Sequence, residues 1–156
     1  MSIQPQDATD DEQPGVRTHS CDLETTPIRH VRRLVRDLLG DHPGVLLDDA
    51  VLVTDELVSN AIQHGRGPRS CRLTLIRDGR GLRAEVTDSG PGEPRPRTPD
   101  DTGGRGLLLV ARLANAWGVH WFGDHKTVWA ELVPDTREHK RRASHLSVAP
   151  DGSRLV

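Results

Sequence analysis

The sequence predicts an α+β fold: a two-layer sandwich in which helices cover one face of a mixed, mostly antiparallel sheet. Three observations predict it. Apolar residues recur at helical spacing in two consecutive stretches in the first half of the chain. Strand-like runs occur in pairs joined by short turns, which is typical of hairpins. A third, shorter helical stretch separates the two pairs, so the predicted order is strand, two helices, two strands, loop, helix and two strands.

The first predicted helix follows Thr25, Thr26 and Pro27, where a hydroxyl group would cap the helix and proline would occupy its first turn. Its apolar stripe ends at Gly40. The opposite face is rich in arginine and is either a solvated face or a surface for a partner; it consists of Arg29, Arg32, Arg33 and Arg36.

The second predicted helix covers residues 45–64 and is the longest periodic segment of the chain. Glycine and proline in the segment 65–68 end it. Its apolar positions form a wide stripe that would face the sheet: Leu47, Ala50, Val51, Thr54, Leu57, Val58, Ala61 and Ile62.

Five strands complete the prediction. Residues 16–23 form an edge strand, residues 70–77 and 82–88 form a hairpin, and residues 118–122 and 127–133 form another. A short helix over residues 106–115 precedes the second hairpin. The scarce aromatic residues are expected to fill the core rather than to hold a cofactor, which applies to Trp117, Trp121 and Trp129.

The chain has 156 residues and a hydrophobic fraction of 34%, and its apolar residues are concentrated in the middle. We therefore predict a polar acidic tail at 1–15, one domain at 16–133 and a polar tail at 134–156, with both tails disordered. The formal net charge of −2 gives no electrostatic case for direct nucleic-acid binding. No apolar run reaches the ~20 residues of a membrane span, and no secretory signal is visible. With only two cysteines, a cytoplasmic location is expected.

Two polar side chains of the second predicted helix are candidates for chemistry. Glu56 and Asn60 are four residues apart, so they project from nearly the same face of a helix. A carboxylate can accept a proton from a hydroxyl group, and a carboxamide oxygen can bind Mg²⁺. Taken alone, the pair is also compatible with an ordinary polar helix face.

Two glycine-containing motifs follow. The sequence Asp88-Ser89-Gly90-Pro91-Gly92 lies at a strand end, where glycines let the backbone approach a ligand and the carboxylate can accept from an exocyclic amine. The sequence 103–106, Gly-Gly-Arg-Gly, opens directly into the third predicted helix and offers free N–H groups to phosphate. Each motif alone could be an ordinary turn or a flexible cap. Between them, residues 89–104 contain no apolar side chain, which is typical of a lid or binding loop.

The order and spacing of these three clusters resemble the ATP-binding fold shared by gyrase, a heat-shock chaperone, histidine kinases and mismatch-repair ATPases (GHKL). The resemblance covers residues 16–133 and depends on the phrases ELVSNAIQHG and GRGLLLVARLANAWGV…KTVWAEL. Within that superfamily the chain is most similar to the anti-sigma-factor serine kinases of Gram-positive bacteria and to the stand-alone ATP-binding regulators of actinomycetes.

The resemblance implies roles for the first two clusters. Glu56 would be the general base, and Asn60 would bind the Mg²⁺ that bridges the ATP phosphates. Asp88 would recognise the adenine amino group, while Gly90 and Gly92 would shape the pocket.

The resemblance also implies a lid. Gly104, Arg105 and Gly106 would close over the phosphates, with Leu107 beginning the helix that follows. Thr127 would support the adenine-binding Asp88 from a neighbouring strand.

As a whole, the resemblance implies an anti-sigma factor with Mg-ATP-dependent serine/threonine kinase activity. Its partners would be a sigma factor and an anti-anti-sigma protein of the STAS type, and it would be a homodimer. The alternative is a non-catalytic, ATP-dependent module that sequesters a sigma factor or another regulator. A P-loop enzyme is excluded, because the chain contains no GxxxxGK[ST] motif.

Overall fold

The computed structural model describes residues 16–40, 47–90, 106–134 and the backbone of residues 154–155. The elements follow the predicted order, with one short strand added at the end. They are β1 (Thr18–Asp22), α1 (Ile28–Leu39), α2 (Leu47–His64), β2 (Ser70–Ile76), β3 (Gly81–Asp88), α3 (Gly106–Leu113), β4 (Ala116–Phe122), β5 (His125–Leu132) and β6 (Arg154–Leu155).

The strands form one sheet with the order β1-β2-β3-β5-β4-β6. All of its described pairs are antiparallel, so the predicted parallel component is absent from the described part of the sheet. The hairpin β4–β5 enters with β5 beside β3, which places the ends of two strands that are distant in sequence next to each other. Asp88 at the end of β3 is thereby opposite Lys126 of β5.

The helices form the second layer on one face of the sheet, which confirms the predicted α+β sandwich. Residues alternate along the strands, so that Leu82, Ala84 and Val86 of β3 are buried while the residues between them are partly exposed. The central helix is α2, because it contacts α1, α3, β3 and β5. Its buried residues pack with those of the sheet into one core.

Three local expectations were wrong. Pro27 is itself the N-cap of α1, and no side chain caps this helix. Ile62 lies one residue beyond buried Ala61, a turn of about 100° around α2, and its side chain is 51% exposed. Trp121 is 48% exposed, whereas Trp117 and Trp129 are buried as expected.

The predicted tails lie almost entirely outside the described residues. In the C-terminal one, the backbone of Arg154–Leu155 pairs with Val119 and Gly118 of β4. Among the helices that the structure describes, none combines the length and the apolar character needed to cross a bilayer.

Candidate functional site

The site is centred on Asp88, the last residue of β3, which is 1% exposed. Its Oδ1 accepts two hydrogen bonds, one from the Gly90 amide and one from the Lys126 ammonium, each 2.7 Å long. The Lys126 ammonium also donates to the Gly90 carbonyl oxygen at 3.2 Å. Lys126 is 3% exposed, so the two side chains form a buried ion pair at the helix-facing side of the sheet.

The second carboxylate oxygen of Asp88 has no such partner. Oδ2 is buried, and no residue in the described ranges donates a hydrogen bond to it. An unsatisfied acceptor of this kind costs about 1–3 kcal/mol, so a ligand that supplies a donor here would be stabilised. An exocyclic amine is such a donor.

Two glycines bring the backbone of the loop after α2 against Asp88. A Cβ at Gly65 would overlap the Asp88 carboxylate and would lie 2.6 Å from the Ala61 carbonyl oxygen. A Cβ at Gly90 would lie 2.5 Å from the Gly65 Cα. The Ser89 amide donates to the Arg66 carbonyl oxygen at 2.9 Å and joins the two segments. Gly65 was predicted to end the helix and belongs to the phrase ELVSNAIQHG, but no contact with Asp88 was predicted for it.

Arg69 holds the same loop from outside. Its guanidinium donates to the Ala61 carbonyl oxygen at 2.9 Å and to the Gly65 carbonyl oxygen at 3.0 Å. The Ala61 carbonyl oxygen also accepts a bond of 3.0 Å from the Gly65 amide, so Arg69 adds a second donor there and ties the end of α2 to the loop. The position of Gly65 against Asp88 is therefore fixed from both sides.

The other predicted acid, Glu56, lies on the flank of α2 that faces α3. The Gly106 residue that begins α3 is so close that a Cβ there would lie 2.5 Å from Glu56 Oε2. Burial raises the pKa of the Glu56 carboxyl, and the neighbouring negative charge of Asp55 raises it further. Asn60 lies one turn further along α2 and is half-buried like Glu56. The helix thus presents a carboxyl group and a carboxamide together, as predicted from their spacing.

Asp55 itself points to the opposite flank. Its Oδ2 accepts a hydrogen bond of 2.7 Å from Arg32 of α1, which ties the first two helices together. Consecutive residues of α2 therefore serve different neighbours: Asp55 contacts α1, and Glu56 faces α3.

Residues 22–131 match the family described as the histidine kinase-like ATPase domain. The chain belongs to the histidine kinase-like ATPase family. It is also 38% identical, over 82 residues, to an uncharacterized protein of Streptomyces coelicolor; the match covers 49% of this chain and 77% of that protein. A histidine kinase-like ATPase domain implies ATP binding.

Within this ATPase domain, the residues fit Mg²⁺ only together with a nucleotide. No group of three histidine, cysteine, aspartate or glutamate side chains in the described part of the chain could hold a metal ion. Magnesium ions commonly use one or two protein oxygens, with phosphates and waters as the other ligands. The Asn60 carboxamide would supply one such oxygen, and the bound ion would neutralise phosphate charge.

The structure corrects the role expected of Thr127. Its hydroxyl is 2.7 Å from the hydroxyl of Thr87, on the face of the sheet away from the helices. The strand residue that supports Asp88 is Lys126, one position earlier. Side chains alternate between faces along a strand, so a register difference of one residue exchanges the two roles.

The remaining predicted site residues divide into two groups. Leu107 is 6% exposed and belongs to the hydrophobic core, so it anchors the start of α3. The predictions for Gly92, Gly104 and Arg105 lie outside the described residues.

Proposed function

We propose that this protein is an ATP-binding regulator of transcription: an anti-sigma factor that phosphorylates a serine or threonine of an anti-anti-sigma partner with Mg-ATP. The observation that carries the kinase proposal is Glu56. Its carboxyl group lies at the start of α3, on the flank of α2 shared with Asn60, and its pKa is raised. A raised pKa makes a carboxylate a stronger base near neutral pH, which suits a residue that accepts a proton during catalysis.

The proposed reaction is a phosphoryl transfer. The hydroxyl oxygen of the partner's serine or threonine attacks the γ-phosphorus, the bond from that phosphorus to the bridging oxygen breaks, and ADP leaves. Glu56 accepts the hydroxyl proton. Such transfers depend mainly on positioning and charge neutralisation, which Asp88 and Asn60 would support at the two ends of the nucleotide.

The exposed arginines of α1 support a protein partner. Arg29, Arg33 and Arg36 are exposed, whereas Arg32 is engaged by Asp55. An exposed cationic helix face fits an acidic surface, such as that of a sigma factor. The identity of both partners is part of the proposal.

A second candidate is a non-catalytic module that binds ATP and sequesters a regulator. One observation favours it: no residue in the described ranges donates a hydrogen bond to Glu56 or forms an ion pair with it. General bases are commonly oriented by a neighbouring group, and Glu56 lacks one in this part of the chain.

One experiment separates the two candidates. Wild-type protein, Glu56→Gln and the control Asp48→Asn are incubated with radiolabelled ATP and a panel of purified STAS-type proteins from the same genome. Asp48 is an exposed carboxylate near the start of the same helix. The kinase proposal expects Glu56→Gln to lose transfer by about 10²–10⁴-fold while nucleotide affinity stays within about twofold of wild type.

The other outcomes are equally informative. Nucleotide binding by the wild type without phosphorylation of any panel member would favour the sequestration module. Full transfer by Glu56→Gln would overturn the role of Glu56. Absence of nucleotide binding in the wild type would overturn both candidates.

A further inference from the structure

We propose that Lys126 determines which base the site accepts, by holding Asp88 so that its one free acceptor selects a 6-amino purine over a 6-oxo purine. The proposal rests on the nucleotide binding proposed above, and it assigns to Lys126 a specificity role that the resemblance did not predict.

The ion-pair geometry leaves a single acceptor for a ligand. Oδ1 of Asp88 is occupied by the Lys126 ammonium and the Gly90 amide, each at 2.7 Å. Oδ2 is buried and has no donor among the described residues. The lysine also donates to the Gly90 carbonyl oxygen, so the two donors to Oδ1 are joined to each other and restrict rotation of the carboxylate.

The surroundings of Lys126 hold the ammonium in place. Lys126 lies on β5 directly opposite Asp88, and only 4% of its side chain is exposed. Trp121 is its cross-strand neighbour on β4, and the ring centroid lies 5.9 Å from the ammonium nitrogen. An aromatic face at this distance attracts a cation.

Chemistry at Oδ2 then distinguishes two classes of purine. An ionised carboxylate only accepts hydrogen bonds, so it pairs with an exocyclic amine at C6. A carbonyl oxygen at C6 would place its lone pairs against the negative oxygen, and neither group could donate. The Lys126 ammonium, 2.7 Å from Oδ1, balances the charge of the buried carboxylate, since burying a charge is costly unless it is paired.

Loss of Lys126 is therefore expected to relax the selection. Without the lysine the carboxylate is held only by the Gly90 amide and is freer to turn, and a reoriented oxygen can accept the proton that a 6-oxo purine carries on N1. A neutral threonine, which the resemblance placed beside Asp88, would not supply this charge. In this chain Lys126 supplies the charge, so the proposed selection depends on Lys126 as well as on Asp88.

The test compares the affinities of ADP and inosine diphosphate, which differ at C6 and in the proton on N1. Dissociation constants are measured by calorimetry for wild type, Lys126→Met and Lys126→Arg. Wild type is expected to prefer ADP by at least about 100-fold. Lys126→Met is expected to reduce that preference to less than about tenfold, and Lys126→Arg, which keeps the charge, should retain most of it. Arg80→Met, which removes an exposed cation from the β2–β3 turn, is the matched control and should retain the wild-type preference.

A variant that leaves a buried charge unpaired could fail to fold. The double variant Asp88→Asn/Lys126→Met removes both charges and keeps the test decisive. Its carboxamide can present either an oxygen or an NH₂ group, so the double variant should bind the two nucleotides within about tenfold of each other.

The outcomes distinguish this inference from the proposed function. A folded Lys126→Met protein that keeps the wild-type preference would show that Lys126 is only structural and would overturn the inference, while nucleotide binding stands. A double variant that keeps the full preference for ADP would overturn the inference in the same way. If the wild type binds neither nucleotide, the proposed function fails and the inference with it.

Discussion

Asp88 and Glu56, the two acids of the candidate site, lie in opposite environments. Asp88 is almost completely buried, paired with a cation and enclosed by the backbone of Gly65 and Gly90. Glu56 is partly exposed, lies beside another acid, and has a raised pKa. The two environments suit different roles. A carboxylate held in place by an ion pair suits recognition of a ligand, whereas an acid with no cationic partner among the described residues suits proton transfer.

The two environments also differ in what can move. Near Asp88, a Cβ added at Gly65 or Gly90 would meet backbone atoms or the carboxylate that Lys126 holds, and these cannot move aside easily. Near Glu56, a Cβ added at Gly106 would meet only the far end of the Glu56 side chain, which is flexible. Alanine substitutions at Gly65 and at Gly106 should therefore differ in their effects on the free energy of unfolding.

The largest effect is expected for Gly65→Ala. The new Cβ would overlap the Asp88 carboxylate and the Ala61 carbonyl oxygen, neither of which can shift cheaply. The free energy of unfolding should fall by about 1–3 kcal/mol, and nucleotide affinity should be lost. Urea unfolding and calorimetry measure the two effects. The matched control is Gly123→Ala. A Cβ at Gly123 meets no atom of the described residues within 4 Å, so this variant should leave both quantities unchanged.

If Gly65→Ala were as stable as Gly123→Ala and bound nucleotide normally, the close approach of the loop to Asp88 would be unimportant. The role in ligand recognition assigned to the tightly held Asp88 would then be wrong.

A smaller effect on stability is expected for Gly106→Ala. Its Cβ would lie 2.5 Å from Glu56 Oε2, and the next atoms that it would meet in the described part of the chain are Cδ and Cβ of the same side chain, at 3.5 and 3.8 Å. The Glu56 side chain can rotate away, so the free energy of unfolding should change by less than about 0.5 kcal/mol. Phosphoryl transfer should nevertheless fall at least about tenfold, because the displaced carboxyl group would no longer reach the attacking hydroxyl. Unchanged transfer in the same radiolabel assay would contradict the catalytic half of the comparison.

Local sequence patterns predicted most of the fold. The helical periodicity located α1, α2 and α3, and the two hairpin signals located β2 to β5, each within a few residues. The spacing of Glu56 and Asn60 placed both on one flank of α2. These predictions succeeded because each depends on residues close together in the chain.

The features that sequence reasoning missed depend on contacts between distant segments. The position of Lys126 against Asp88 follows from the pairing of β3 with β5, and a shift of one residue would have placed Thr127 there instead. Gly65 is important because the loop after α2 contacts the end of β3. Neither the strand order nor the depth of this contact can be read from local spacing.

The smallest expected effect concerns the titration of Glu56. Its folded pKa is raised above the ordinary value of 4.5, mainly by burial and then by Asp55. In Asp55→Asn, the pKa of Glu56 should fall towards 4.5 but remain above it, because the burial persists. The carboxyl ¹³C resonance of Glu56, followed against pH by NMR, measures this. The control Arg32→Ala breaks the same ion pair but keeps the Asp55 charge, so it should not lower the pKa.

The sign of the effect on stability follows from the raised pKa. Below pH 4.5 Glu56 is protonated in both the folded and the unfolded state, and it contributes no pH-dependent cost. As pH rises towards the folded pKa, the unfolded state loses its proton first, so the folded state becomes relatively less stable. Glu56→Gln removes this cost. It should therefore melt slightly above wild type at about pH 7 and lose that advantage below pH 4.5, and a lower melting temperature near neutral pH would contradict the unpaired environment assigned to Glu56. The gain is small because the side chain is only partly buried, so solvent screens its charge.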